Sequence, residues 1–415
     1  MAAERLAAAG HGVTVFDERP GWEKPCGGGV TDKALAAYPF LREAGIERQW
    51  VRDCELIGRS GRRARLALDR AIAIFSREAL NRLLLERARR AGAEVVTARV
   101  VGLERAGAAA EAPAANLAAA GAGMGGGVSS GGAGESGAEA GGPAAGGGVR
   151  RAGWRLRLRV GGEAAADFVI LAAGARNPFR QAFGLAGGAA DFMTALGYYV
   201  PGGGDRIQIR FLPGLDGYIW VFPRVGHFSA GICGRTEGMP AGALRAALDQ
   251  FLRQEGYAFA GSPYYAHVLP AYTAAALRAM RFSGGDWAVV GDAAGLVDPI
   301  TGEGLYYALR SGELCAAALL AGRIGDYGRA LRAEVLPDLE LAARIARRFY
   351  TGRFLGGEVI ERMIQFTARS RRFQGLMADL FAGSQGYVGL RRRLYRQLAP
   401  TLCEAALAHR THAEA

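Results

Sequence analysis

The stretch Trp287 to Gly304, WAVVGDAAGLVDPITGEG, constrains the fold of this chain more than any other. The apolar residues from Trp287 to Val290 predict a short buried strand. It ends at Gly291-Asp292, and open α/β sheets place their ligands at the carboxyl ends of strands. Ala293, Ala294 and Gly295 are small enough to let a ligand approach the backbone closely. After Pro299, Gly302-Glu303-Gly304 opens a helix whose apolar residues Leu305, Ala308, Leu309, Gly312, Ala316, Leu319 and Leu320 recur at helical spacing. The start of such a helix offers unpaired N–H groups and the positive end of its dipole. Asp292 is suited to accept hydrogen bonds from a polyol.

The opening of the chain carries a second part of the same architecture. Residues 1–10 predict a short helix stopped by Gly10, and Gly12 to Asp17, GVTVFD, predicts a strand ending in a carboxylate. A helix feeding such a strand is the second half of a dinucleotide-binding βαβ unit, in which the acid, Asp17, holds the adenosine ribose. From glycine fingerprint to acid, that unit takes about 30 residues. Asp17 arrives too early, so roughly 10 to 15 residues, the first strand and its glycine turn, are expected to be missing from the sequence given. Phe75 to Leu80 begins a further helix with Leu80, Leu83, Leu84 and Ala88 on its buried stripe. Ala93 to Leu103 then reads as strand. This helix–strand step suits a doubly wound sheet.

From about Arg105 to Val149 the composition is dominated by Ala and Gly, with Ser and Glu and no aromatic residue. Such a stretch buries too little apolar surface to offset its ordering entropy, and is expected to be a disordered insertion at a hairpin tip. Trp154 to Val160 alternates as the return strand, and Phe168 to Ala173 is a short buried strand ending at Gly174. Ile207, Ile209 and Phe211 alternate, and Gly217 to Pro223, GYIWVFP, puts Tyr218, Trp220 and Phe222 on one face of a strand. An aromatic face of this kind is more often core than ligand wall. Lys24 to Val30, KPCGGGV, places three glycines after one cysteine, a loop through which backbone can approach a flat ligand.

Composition narrows the partners. The formal charge is +12, yet the arginines are scattered and interleave with no aromatic patch, so no nucleic acid is expected. Five cysteines without paired spacing suggest reduced thiols and a cytoplasmic protein. No apolar run reaches the length of a membrane span. The C-terminal part is helical and Arg-rich; Leu341 to Phe349 and Gly389 to Leu398 have mixed apolar and cationic faces. Those faces suit a solvated cap, or peripheral contact with the inner face of a membrane.

Taken together, KPCGGGV, YIWVFP (Tyr218 to Pro223), GDAAGLVDPITGEG (Gly291 to Gly304) and FQGLMADLFAGSQGY (Phe373 to Tyr387) resemble the geranylgeranyl reductase family, flavoproteins of the p-hydroxybenzoate hydroxylase fold. The resemblance implies an α/β (α+β) architecture. A Rossmann-like FAD-binding domain would be assembled from 1–104, 150–182 and 284–325. An antiparallel β-sheet substrate domain would occupy 183–283 and a helical region 326–415. It implies FAD as cofactor and a hydride delivered from reduced flavin to an isoprenoid double bond. Asp17 would hold the adenosine ribose, Arg77 the phosphates or ribityl chain, and Asp292 the ribityl or pyrophosphate region. Gly302, Glu303 and Gly304 would face the isoalloxazine ring, with Gly174 and Gly295 also on the cofactor. Cys26, Gly27, Gly28 and Gly29 would lie over the flavin, and Tyr218 and Trp220 would line the prenyl tunnel. Cys26, Tyr218 and an ordered water all stand as proton donors. Where related flavoproteins have Ala-Asp-Gly, this chain reads Ala172-Ala173-Gly174-Ala175, so ferredoxin or a quinol is as suitable an electron donor as NAD(P)H. The alternatives are a monooxygenase or halogenase of the same fold, and an inactive truncated flavoprotein.

Overall fold

The computed structural model describes residues 1–106, 153–235 and 237–411, with side chains to residue 404. From residue 107 onward the expected Ala/Gly-rich insertion lies outside the described residues. The expected α/β class holds: strands and helices are intermingled through the first three-quarters of the chain, with runs of consecutive strands, and helices dominate after it.

Two short parallel ladders carry the doubly wound part. Thr14–Asp17 pairs with Glu94–Thr97, and Trp287–Val289 pairs with Val169–Leu171. The first is fed by an amphipathic helix. Ser76 caps Arg77–Arg90 by accepting a hydrogen bond from the Ala79 N–H, and that helix buries Leu80 and Ala88. Leu83 and Leu84 are half-buried. The expected strand over 93–103 divides in two. Its second half, Val100–Arg105, joins a separate antiparallel sheet with Trp154–Leu158 and Glu163–Ala166. The helix Leu305–Leu320 forms where expected, but its buried side is rotated toward Tyr307, Ser311 and Cys315, leaving Leu320 exposed.

The largest element is an eight-stranded sheet. Its order is Tyr264–Pro270, Phe192–Pro201, His227–Arg235, Gly217–Pro223, Arg206–Arg210, Arg48–Ile57, Arg63–Phe75 and Gly29–Val30. All neighbours are antiparallel except Arg206–Arg210 and Arg48–Ile57, which run parallel. Side chains alternate across it, as period-two geometry requires. Ile219 and Val221 face the helix Ala241–Gln254 through Leu244, Leu248 and Phe251. Trp220, Ile207 and Ile209 face the opposite way, toward Tyr350, Ile360, Met363 and Phe373 of the C-terminal helices. Those helices run over Leu336–Thr351, Val359–Arg369, Arg371–Phe381 and Tyr387–Thr411. They therefore cap one face of the sheet, and the space between contains the site.

Candidate active site

A cavity of about 740 Å³ lies between the sheet and its helical cap. One end is polar and is built by Lys24–Gly29, Arg77, Asp292 and the segment Gly302–Gly304; the remainder is walled mainly by apolar side chains, with Arg348, Arg362, Gln385 and Arg391 among them. Most of the residues singled out in the sequence meet here: Cys26, Gly27, Gly28, Gly29, Arg77, Tyr218, Trp220, Asp292, Gly302, Glu303 and Gly304. Asp17, Gly174 and Gly295 are not in its wall. Asp17 ends its strand and accepts a hydrogen bond from the Arg19 N–H at 2.9 Å. Gly174 sits in the turn after Val169–Leu171. Gly295 is small because of protein packing: a Cβ there would stand 2.5 Å from the Tyr272 ring.

The glycine loop enters the large sheet as its edge, Gly29–Val30 pairing with Ala73–Ile74. Its glycines are demanded by the protein itself. Gly28 has φ +85°, and a Cβ there would lie 2.4 Å from the Phe75 carbonyl oxygen. A Cβ on Gly27 would meet the Phe222 ring at 2.8 Å. The loop thus packs directly on the aromatic strand while its outer surface lines the cavity.

Arg224, which the sequence reading passed over, fastens this loop. It follows Pro223 at the end of the aromatic strand and is 2% exposed. Its guanidinium donates to the Cys26 carbonyl at 2.6 Å, the Gly27 carbonyl at 3.3 Å and Glu23 at 2.5 Å. Ser229 adds a bond from its hydroxyl to the Cys26 carbonyl at 2.9 Å. Glu23 in turn accepts from Ser76 Oγ and from the N–H groups of Arg77 and Glu78 at 2.7 to 3.0 Å, at the start of Arg77–Arg90. Burial pushes the Glu23 carboxyl upward, but Arg224 and these donors outweigh it and hold the group below the usual carboxylate range.

Arg77 is buried with Nη1 3.2 Å from Cys26 Sγ and Nη2 on Asn81 Oδ1 at 3.3 Å; its Nε has no partner among the described residues. Burial raises the Cys26 thiol, yet the charges of Arg77, Arg224 and Lys24 and the Arg77 hydrogen bond bring it below its ordinary value. Lys24 reaches Asp292 at 2.9 Å, so a cation already serves the carboxylate expected to bind a polyol. His267, also missed, sits in the same wall. Burial first, then Lys24, pushes its imidazole down to about 4, and its Nε2 is buried without a partner among the described residues.

At the opposite lip, Gly302 has φ +73°, and a Cβ there would lie 2.8 Å from the Tyr218 hydroxyl. That hydroxyl donates to the Thr301 carbonyl at 2.5 Å, and burial drives its pKa well above the ordinary phenol value. Its proton is therefore committed to the backbone. Asp298 holds the turn into the helix by accepting from the N–H groups of Ile300 and Thr301 and from the Tyr387 hydroxyl at 2.8 to 3.2 Å. Glu303 accepts from Thr31 Oγ1 at 2.6 Å, and burial raises its carboxyl. Tyr218 and Trp220 pack edge to face, with centroids 6.2 Å apart, and the Trp220 indole nitrogen is buried without a partner among the described residues.

No family model matches the chain. Menaquinone reductase of Mycolicibacterium smegmatis is 32% identical over 162 residues, 36% of this chain and 39% of that protein. Digeranylgeranylglycerophospholipid reductase 2 of Methanothermobacter thermautotrophicus is 28% identical over 222 residues, 49% of this chain and 55% of the relative. The chain thus aligns with about half or less of the length of these curated relatives. Their names are of the kind to which the motif resemblance led. Among solved structures, a geranylgeranyl bacteriochlorophyll reductase-like protein of Thermoplasma acidophilum superposes with a TM-score of 0.69 at 18% identity, covering 95% of both chains. A flavin-dependent brominase superposes with a TM-score of 0.61 at 14% identity, covering 92% of this chain and 90% of the other. At these identities the likeness is one of fold.

Proposed function

We propose that this chain, related in sequence to menaquinone and geranylgeranyl reductases, is an FAD-dependent reductase of carbon–carbon double bonds in an isoprenoid lipid. The observation that carries the reading is convergence. Motifs at positions 24–30, 218–223 and 291–304 meet around one cavity that is polar at one end and mainly apolar over the rest. The polar end suits the flavin ring and its ribityl chain. It offers the start of the 16-residue helix Leu305–Leu320 beside Gly302–Gly304; among the described residues Arg77 Nε lacks an acceptor and His267 Nε2 lacks a hydrogen-bond partner. Asp17, outside the cavity, keeps its proposed place on the adenosine ribose.

Bound there, FAD would supply the hydride that reduces one carbon of the double bond. The chain's own residues do the rest. Trp220, Phe222 and the helical cap hold an apolar chain and exclude water. Cys26 Sγ holds a proton whose release Arg77 eases, whereas the Tyr218 proton is engaged by Thr301. Cys26 is thus the proposed proton donor and Tyr218 a wall residue. Arg224 keeps the Cys26–Gly29 backbone in place.

The test is anaerobic single turnover with a prenyl lipid of one to four isoprene units. The reading expects reduced flavin to reoxidise at a substrate-dependent rate, with two hydrogens gained by the lipid. Cys26→Ala should slow that step by about 100-fold, the usual scale of general-acid loss. If the lipid leaves the reduced flavin unoxidised, and oxygen admitted afterwards reoxidises it through a hydroperoxyflavin with the alkene untouched, oxygenation is supported instead.

A further inference from the structure

The apolar end of the cavity does not close. Ile345, Phe354, Leu394 and Tyr395 line it and are also solvent-exposed, Tyr395 at 75%. Residues that are both cavity wall and surface mark a mouth, framed by the helices Leu336–Thr351 and Tyr387–Thr411 and by a small hairpin. In that hairpin Arg353–Phe354 pairs with Gly357–Glu358 across the two-residue turn Leu355-Gly356. Both turn residues have positive φ, +48° and +74°. A turn of this kind selects Asn-Gly or Gly-Gly. A leucine there is strained, because its Cβ crowds the backbone, and at 51% exposure no core packing compensates. Strain held at a tip, by a side chain that water disfavours, indicates a use for that side chain outside the folded chain.

The elements that frame the mouth also carry exposed cations. Arg344, Arg348, Arg353, Arg391, Arg392 and Arg396 are all exposed on the three framing elements. Arg393 on the same helix is by contrast tied to Asp379 at 2.6 Å. Exposed guanidinium groups on the same elements as exposed Leu, Phe and Tyr side chains match a surface that is anionic outside and apolar within.

We propose that this face docks on an anionic phospholipid bilayer. Phe354, Leu355 and Tyr395 enter the acyl boundary, the arginines hold lipid phosphates, and the mouth opens into the membrane. The inference deepens the proposed function by giving the route of the isoprenoid, and rests on that reading only for the identity of the cargo.

The test is flotation of the full chain with vesicles of phosphatidylcholine alone and with 30 mol% phosphatidylglycerol. Wild type is expected to float with the anionic vesicles and to stay largely behind with the neutral ones. Leu355→Asn, which suits the turn better, should weaken binding about tenfold, since burying a leucine is worth roughly that ratio. It should leave the melting temperature equal or higher. Arg392→Glu should weaken binding to anionic vesicles about fivefold. Absence of binding to anionic vesicles, or unchanged binding by Leu355→Asn, would overturn the proposal. FAD content is measured on the same samples. A chain that floats but holds no flavin defeats the proposed function and leaves the docking face standing; a flavin-loaded chain that does not float does the reverse.

Discussion

Arg224 is the residue on which the glycine loop depends. Three of its bonds go to Glu23 and to the Cys26 and Gly27 carbonyls, inside a region where it is almost inaccessible. Arg224→Ala leaves Glu23 and two carbonyls short of a donor. It should cost about 3 kcal/mol in urea unfolding, the scale for breaking a buried ion pair. Any effect on turnover should exceed that of a remote variant of equal stability. His267 gives a pH signature. Its folded pKa, about 4, lies below the ordinary 6.5, so the unfolded chain takes up the proton first as pH falls. Its contribution is present above about 6.5 and is lost between there and about 4. His267→Gln should flatten that limb of the stability–pH curve. Both residues escaped the sequence reading for one reason: each acts through space. Arg224 follows a visible motif but serves a loop two hundred positions earlier, and His267 has no neighbour in sequence that marks it. Cys26, Asp292 and Gly302 were legible because each sits inside a local pattern whose backbone needs are written beside it.

At the scale of elements, strand–turn–helix units read well and sheet membership did not. Trp287–Val289 and Leu305–Leu320 followed from an apolar run, a Gly-Asp turn and helical spacing. The strands Arg48–Ile57 and Arg63–Phe75 went unread. Their charged, alternating sequences look like surface; pairing places them in the large sheet, and packing against the C-terminal helices gives them a buried face. The segment from 93 to 103 reads as one strand because nothing local reveals that its halves join different sheets. The glycine loop is where element and site coincide. Gly28→Ala must place a methyl 2.4 Å from the Phe75 carbonyl and hold a left-handed backbone. It should destabilise the chain by about 2 to 4 kcal/mol in thermal or urea unfolding. An unchanged midpoint would show that the loop does not pack on the Phe75 strand as described.

For the molecule as a whole, the division of labour follows the two ends of one cavity. The polar end is made by segments far apart in sequence, and the apolar end by the face of the large sheet and its helical cap. Substitutions at the two ends should therefore separate. Met363→Trp adds volume to the apolar wall; it should raise KM for a long prenyl chain at least about tenfold, spare a short one, and leave FAD affinity unchanged. The central claim concerns the other end, and it is tested by titrating the protein with FAD while following the flavin absorbance. The account predicts saturation at one flavin per chain with a shifted spectrum. It also predicts loss of that binding in Gly302→Leu, whose Cβ would already stand 2.8 Å from the Tyr218 hydroxyl, so that the side chain must displace the wall there. A chain that leaves the flavin spectrum as it is in water, or a Gly302→Leu variant that binds FAD as tightly as wild type, would contradict it.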